Sequence, residues 1–395
     1  SEIRDADLLR VPILDARTSL TWATDLAGGD WGVGRPYWMA PLYPHLLAVP
    51  VALFGAIPIV PVVLQLILGV INLVLLHRLA TRLSDGRVAL VAVVFWALYA
   101  PAVFYAGFLV VATLLTTLML GVATAATEAR DAPTRRRLFI LGLWIGAATL
   151  ARGNVALLAP ASALLWWGCA GPVAVARRTG WVILGLVVCL VPVALRNDVV
   201  GGDSVLLTSN AGMNLAIGQD RSGDGVFVPL HSDPSGHYDP TGRLRLEEEL
   251  GRSLQPSEVS RIYAGRALES VVSDPAGAAR HTLRKAWRLV GGYELPQLAA
   301  FEVRQEASTA LQLMPVPYWI LTFAGLAGLA VLRGTARRVL LLVVVTYLLS
   351  LLPFFPTARY RQPVAPLLAF SAAALSVQGV RAWSDHRFRE GRWRT

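Results

Sequence analysis

The stretch IPIVPVVLQLILGVINLVLLH, residues 57–77, decides the fold class. It carries no Asp, Glu, Lys or Arg, its polar residues are Gln65, Asn72 and the closing His77, and Arg78, Arg82 and Arg87 follow at once. A helix of about 20 residues crosses the hydrocarbon core of a bilayer. Lipid offers no partner for open backbone groups, so a span of this kind must be helical. An apolar block closed by arginines therefore reads as a membrane helix with its basic end at one surface.

Outward from that block the pattern recurs. Further apolar blocks fall at 88–105, 108–127, 137–152, 154–171, 179–196, 317–333, 338–355 and 362–381. Arginine clusters occupy alternate connections: Arg130 with Arg135 to Arg137, then Arg177 and Arg178, then Arg333, Arg337 and Arg338, then the tail from Arg381. The positive-inside rule puts those connections and the C-terminus in the cytoplasm. Residues 1–56 and 197–316 then face outward, away from the cytoplasm.

Composition agrees. Of 395 residues, 55% are hydrophobic and only 16% charged, with mean hydropathy +0.53; soluble domains carry about 25% charged residues. The net charge of +10 is accounted for by topology-setting arginines, so nucleic acid is not expected as a partner. Cys169 and Cys189 both lie in apolar blocks, which excludes a disulfide framework or a zinc site.

The expected architecture is an all-α polytopic membrane protein in four parts. Residues 1–56 form an extracytoplasmic loop with juxtamembrane helices, and 57–196 a transmembrane bundle. Residues 197–316 form an extracytoplasmic cap region, and 317–395 the C-terminal transmembrane helices with a cytoplasmic tail. The apolar run from Pro41 to Phe54 is too short to span and is expected as an interfacial or re-entrant helix. Pro101, Pro160 and Pro192 should kink their helices. In the cap, Asn197 to Thr241 reads as a loop with short strands. Helices are expected over 244–250, 257–272 and 275–289, with Ser257 and Asp274 as N-caps.

Two sets of residues are not explained by topology. Arg152, Arg196, Arg359 and Arg361 close spans on the outward side. Arginine at membrane depth costs a few kcal/mol and usually faces a cavity and a partner, and its fork matches phosphate oxygens. Convergent arginines thus point to an anionic headgroup whose tail lies between helices; the plainer alternative is snorkelling to lipid phosphates. The second set is the carboxylates Asp5, Asp7, Asp15, Asp25 and Asp30. A carboxylate held by a turn can take the proton of a hydroxyl, and Asp15, just ahead of a helix running through Thr24, is better held than Asp5 or Asp7.

The string Leu14-Asp-Ala-Arg-Thr-Ser-Leu-Thr-Trp22, with Gly29-Asp-Trp31 and Pro41-Leu-Tyr-Pro44, resembles the opening outer loop of the GT-C glycosyltransferases. The likeness is strongest to bacterial members similar to protein O-mannosyltransferases and aminoarabinose lipid A transferases. It continues through Leu150-Ala-Arg-Gly-Asn154, Leu195-Arg-Asn197, Ser209 to Asn214 with Ile217-Gly218, Arg284-Lys285, Tyr293-Glu-Leu-Pro296 and Ala358-Arg-Tyr-Arg-Gln-Pro363.

The resemblance implies a GT-C-like bundle, a membrane helix upstream of Ser1, and Asp15 as the catalytic acid/base. It implies a donor phosphate and lipid held by Arg359, Tyr360, Arg361, Arg152 and Lys285. Weaker substrate contacts fall on Tyr43, Asn210, Asn214, Glu294 and Arg196. The reaction implied is inverting transfer of a sugar from a polyprenyl-phosphate donor to a glycan, lipid or protein hydroxyl, outside a bacterial plasma membrane. Membrane lipids are the other partners.

One departure concerns the outer turn from Pro101 to Phe108. Many relatives are acidic there, and this chain has Ala106 and Phe108, which leaves Glu294 as the alternative acid. No Gly-rich phosphate loop follows a strand, which favours a lipid-linked donor over a nucleotide sugar. No metal ligands are assigned and a divalent metal is unsupported. Trp22 and Trp31 read as interfacial anchors. The rival function is a transporter or flippase of polyprenyl-linked sugars.

Overall fold

A computed structural model describes residues 14–391 except 33, 58, 223–225, 229–238, 240, 292–293 and 295–300, with backbone alone for 14 and 383–391. Asp5, Asp7, His231, His237, Tyr293, Pro296 and the side chains of the tail beyond Ala382 lie outside the described residues. Among those described, helix and turn occur and no strand. The short strands expected between Asn197 and Thr241 are absent from the described part, which instead forms turns and one helix.

The chain opens with α1 (Leu14–Ala27) and α2 (Leu42–Phe54), which pack together. The bundle follows: α3 (Ile59–Leu83), α4 (Gly86–Ala97), α5 (Ala100–Ala106), α6 (Ala112–Asp131), α7 (Arg135–Ala151) and α8 (Pro172–Val199). Starts are set by local chemistry. Asp85 accepts from the backbone N–H of Arg87 and Val88 at 2.9 and 3.1 Å, and Thr134 from that of Arg137 at 3.4 Å, so orphan donors of the first turn are satisfied.

Proline decides the breaks. Pro101 sits at the start of α5, and α4 and α5 meet at a 62° bend. Around Pro160 the span expected at 154–171 becomes a run of 3₁₀ and single α turns over Gly153–Leu165, because proline removes a ladder donor and clashes with the preceding turn. Pro192, by contrast, lies inside α8, which runs unbroken through it.

The cap contains α9 (Ala211–Gln219), α10 (Arg243–Leu250), α11 (Pro256–Ser273) and α12 (Pro275–Val290). Asp274 caps α12 as expected, accepting from Gly277 N–H at 2.8 Å. Ser257 does not cap α11. Gln255 and Glu258 form a reciprocal capping box that starts two residues earlier, with Pro256 at the first turn, and Ser260 accepts from Gly212 N–H of α9 at 2.9 Å.

The chain returns through α13 (Tyr318–Val331), α14 (Gly334–Leu340), a π turn over Leu341–Val345, α15 (Thr346–Leu351), the single turn α16 (Ala358–Arg361) and α17 (Ala365–Gly391).

Five helices are long and apolar enough to cross a membrane, and six with the bent pair. Helix α6 is largely enclosed, whereas α3 and α8 expose Ile67, Val70, Val187 and Leu195 along their lengths. Apolar faces of that extent need a lipid solvent. Helices α7 and α8 cross at Gly142 and Gly185. A Cβ on either would fall inside the other helix's backbone, at Val182 and Phe139, the close approach that small residues permit in lipid.

Charge separates the two ends. At one end Arg82 pairs with Glu128 and Asp131, Thr335 donates to Asp131, and Arg381 pairs with Asp85. At the other end, under the cap, lie Arg152, Arg196, Arg359 and Arg361.

Candidate functional site

Pro353 and Pro356 prevent α15 from continuing, so the chain turns out of the bundle and re-enters as α16. Successive residues of a helix are rotated by about 100°, so Arg359 and Arg361 diverge by about 200° and cannot serve one ligand equally. Arg359 Nη2 lies 2.7 Å from Asp15 Oδ2 and donates to the Tyr360 hydroxyl at 3.2 Å.

Arg361 turns the other way and is fully buried. Its Nη1 reaches the carbonyls of Arg288, Leu289 and Gly291 at 3.4, 3.5 and 2.9 Å, its Nη2 lies 3.0 Å from Glu294, and its guanidinium sits 4.0 Å from the Tyr318 ring centre. It therefore caps the carbonyl end of α12, where a cation is favoured. The arginine pair of the sequence is split into one residue facing Asp15 and one that ties cap to bundle.

Arg152 ends α7, and its guanidinium lies 3.3 Å from the centre of the Tyr360 ring. Its Nε donates to Asn154 at 3.0 Å; Asn154 donates to Ser350 at 2.6 Å, Ser350 to the Tyr347 carbonyl at 2.6 Å, and the Tyr347 hydroxyl to the Tyr360 carbonyl at 2.8 Å. That circuit fixes both Arg152 and the ring it covers. No described residue accepts from the two terminal nitrogens of Arg152.

Lys285 is buried behind this turn. It and His281 both reach the carbonyl of Gly218, at 2.7 and 3.1 Å. Gly218 itself packs backbone to backbone on Pro353 and Phe354, with no room for a side chain. Burial pushes the Lys285 ammonium down to about 8 and also lowers the His281 imidazole, with Lys285 adding to the effect. Glu294 is buried beside Arg361 and 3.5 Å from the Tyr99 hydroxyl; burial pushes its carboxyl up more strongly than Arg361 pulls it down.

The remaining residues singled out by sequence are spread more widely. Arg196 donates to the carbonyls of Trp31, Gly32 and Arg35 at 2.5, 2.6 and 2.7 Å and lies 4.1 Å from the centre of the Tyr37 ring. Asn210 accepts from Thr208 at 2.9 Å, and Asn214 sits one turn further along α9. Tyr43 is buried in the main core.

Sequence reasoning passed over Ser350 and Tyr347, and treated Asn154 and Asn197 only as parts of motifs. Asn197 is fully buried and joins Tyr37 N–H to the carbonyls of Val205 and Leu207. A signal existed: amides and hydroxyls inside or at the rim of apolar spans need partners. Among the described residues no three His, Cys, Asp or Glu side chains gather as a metal site.

Comparison with known proteins bears on this arrangement. Residues 36–195 match the family of dolichyl-phosphate-mannose-protein mannosyltransferases; Asp15 and α16 lie outside that stretch. No curated protein matches the chain. Among solved structures, the oligosaccharyltransferase AglB of Archaeoglobus fulgidus is 13% identical with a TM-score of 0.51, over 95% of this chain and 47% of its own. This chain thus spans about half of that protein's length. Two structures of ArnT from Cupriavidus metallidurans are 18% and 16% identical, with TM-scores of 0.40 and 0.39, over 92% and 91% of this chain and 72% of theirs. Residues 36–195 thus carry the pattern of a mannosyltransferase family, and the chain shares its fold with AglB and has five helices, or six counting the bent pair, long and apolar enough to cross a membrane.

Proposed function

We propose that this protein transfers a sugar from a polyprenyl-phosphate donor to an acceptor hydroxyl, with inversion, on the outer face of a bacterial plasma membrane. The observation that carries the reading is the approach of Asp15 to Arg359, 2.7 Å apart beneath the cap. In this reading Asp15 takes the proton of the acceptor hydroxyl. The hydroxyl oxygen bonds to the anomeric carbon as the bond from that carbon to the phosphate oxygen breaks, and polyprenyl phosphate leaves with the electron pair.

Arg359 and the terminal nitrogens of Arg152 face the phosphate and stabilise the charge that grows on it. Donors fixed in advance are worth about 100-fold or more each in such sites. Lys285, buried behind the turn, backs that positive wall, and Arg361 with Glu294 holds the turn against the cap. Tyr360 lies beneath Arg152 and Arg359 as their common support. The AglB structure is described as a complex with an inhibitory peptide and a dolichol-phosphate, which supports a lipid phosphate as the donor's leaving group. The arginine-rich end opposite the cap supports a cytoplasmic C-terminus.

The test is sugar transfer by purified protein supplied with polyprenyl-phosphate sugars, comparing wild type with Asp15→Asn. Loss of turnover with lipid binding retained supports the reading. Unchanged turnover in the variant removes Asp15 as the base.

A further inference from the structure

Asp15, Thr18, Trp22 and Asp25 recur along α1 at three- and four-residue spacing and so share one face of the helix. Thr18, Trp22 and Asp25 line a cleft of about 570 Å³, closed by the segment Arg35 to Trp38 and by α10 and α11 of the cap. Small-molecule sites commonly measure about 300–1,000 Å³. Asp15 stands one turn, about 5 Å, before Thr18. The cleft thus reaches to within one turn of α1 of the carboxylate that faces Arg359, although Asp15 is not part of its lining.

Its wall is built rather than incidental. The rings of Trp22 and Tyr37 lie 5.1 Å apart, and His45 packs edge-on to both at 5.8 and 5.7 Å. Arg196 clamps the segment that carries Tyr37 through three backbone carbonyls. Trp38 adds a second indole to the lining. Beside these rings, the side chains of Asp25 and Arg35 make no hydrogen bond or ion pair with described residues, although both line the cleft.

We propose that this cleft binds the acceptor, and that the acceptor is a saccharide; the assignment rests on Asp15 being the base. The negative faces of aromatic rings attract the polarised C–H groups on one side of a sugar ring. A carboxylate and a guanidinium at the edge of such plates pair with its hydroxyls. An extended peptide is most simply read by pairing with a strand edge, and no strand exists among the described residues. A lipid tail would leave Asp25 and Arg35 desolvated against hydrocarbon, which is costly.

The experiment is saturation-transfer NMR on the full chain in nanodiscs without donor, using mannotriose and a Ser/Thr-rich octapeptide as probes. Binding is thereby read without turnover, so failure of Asp15 as base and failure of the cleft assignment are separable. Mannotriose should receive saturation from the protein's aromatic protons. Trp38→Ala should weaken binding about tenfold, with recovery in Trp38→Phe. Thr21→Trp, which fills the cleft from an exposed position and removes no packed side chain, should abolish it. Saturation of the octapeptide alone, or mannotriose binding indifferent to both Trp38→Ala and Thr21→Trp, overturns the proposal.

Discussion

The carboxylate of Asp15 meets the guanidinium of Arg359 at 2.7 Å, and the two side chains are unequally enclosed, 34% and 8% exposed. The cation is held by Asp15 and Tyr360 and is almost wholly enclosed, while the carboxylate keeps an open side. This asymmetry suits a base that must meet an exchanging acceptor and a cation that must hold still.

Asp15→Asn keeps the shape and removes the proposed base. Turnover should fall by about 10²–10⁴-fold, with polyprenyl-phosphate binding retained. Transfer of a labelled sugar, set beside lipid binding by native mass spectrometry, checks both halves.

Arg361 and Glu294 are expected to act on stability. Arg361→Ala leaves the buried Glu294 without its counter-charge and removes the donor to the carbonyls of Arg288, Leu289 and Gly291, a loss of about 3–5 kcal/mol. Arg361→Met combined with Glu294→Gln should recover part of it, since a neutral pair needs no counter-charge. Melting temperature in detergent and proteolysis of the cap report the outcome.

Arg152→Lys keeps the charge and removes the planar group stacked on Tyr360 and the geometry of its bond to Asn154. The two residues are not interchangeable at a stacked site. The apparent KM for the lipid donor should rise about tenfold, an effect within the range of a desolvated cation–π contact plus a hydrogen bond. Asn154→Ala should move the same parameter in the same direction by less.

Lys285 gives a pH dependence of defined sign. Its value near 8 lies below the ordinary 10.5, so between about pH 8 and 10.5 the unfolded chain binds the extra proton. Stability should therefore rise with pH through that window. Below it, the buried ammonium imposes a constant penalty on the order of 3 kcal/mol. Subtracting the melting profile of Lys285→Met from that of wild type isolates this contribution. A difference that stays flat from pH 7.5 to 10.5 contradicts it.

Gly185→Leu forces a side chain into the α7 backbone at Phe139 and Gly142. Overpacking costs about 1–3 kcal/mol or more where the neighbour is backbone, and the helices must part. The variant should melt earlier, whereas Gly180→Leu, where a Cβ meets nothing on the same helix, should not.

Spans, arginine distribution and the cap helices over 244–250, 257–272 and 275–289 were legible in the chain, because apolar length, charge and capping chemistry are local. The broken segment at Gly153–Leu165 was not read as such, although Pro160 was already suspect. Composition there is as apolar as in a full span, and Pro160 was read as a kink where the segment is in fact a run of 3₁₀ and single α turns. Ser257 failed as a cap because Gln255, Pro256 and Glu258 offered a better set of partners two residues earlier.

At the site, charge at the rim of a bilayer, costly enough to need a reason, singled out Arg152, Arg359 and Arg361, while Asp15 and Tyr360 were chosen through the family resemblance. Neither could assign their partners. Arg359 faces Asp15 and Arg361 faces α12 because one helical turn points them apart and the cap closes on one side of that turn only. Helical periodicity and solvent preference are written along the chain; contacts between its two ends depend on how the whole bundle packs, and that is settled in three dimensions.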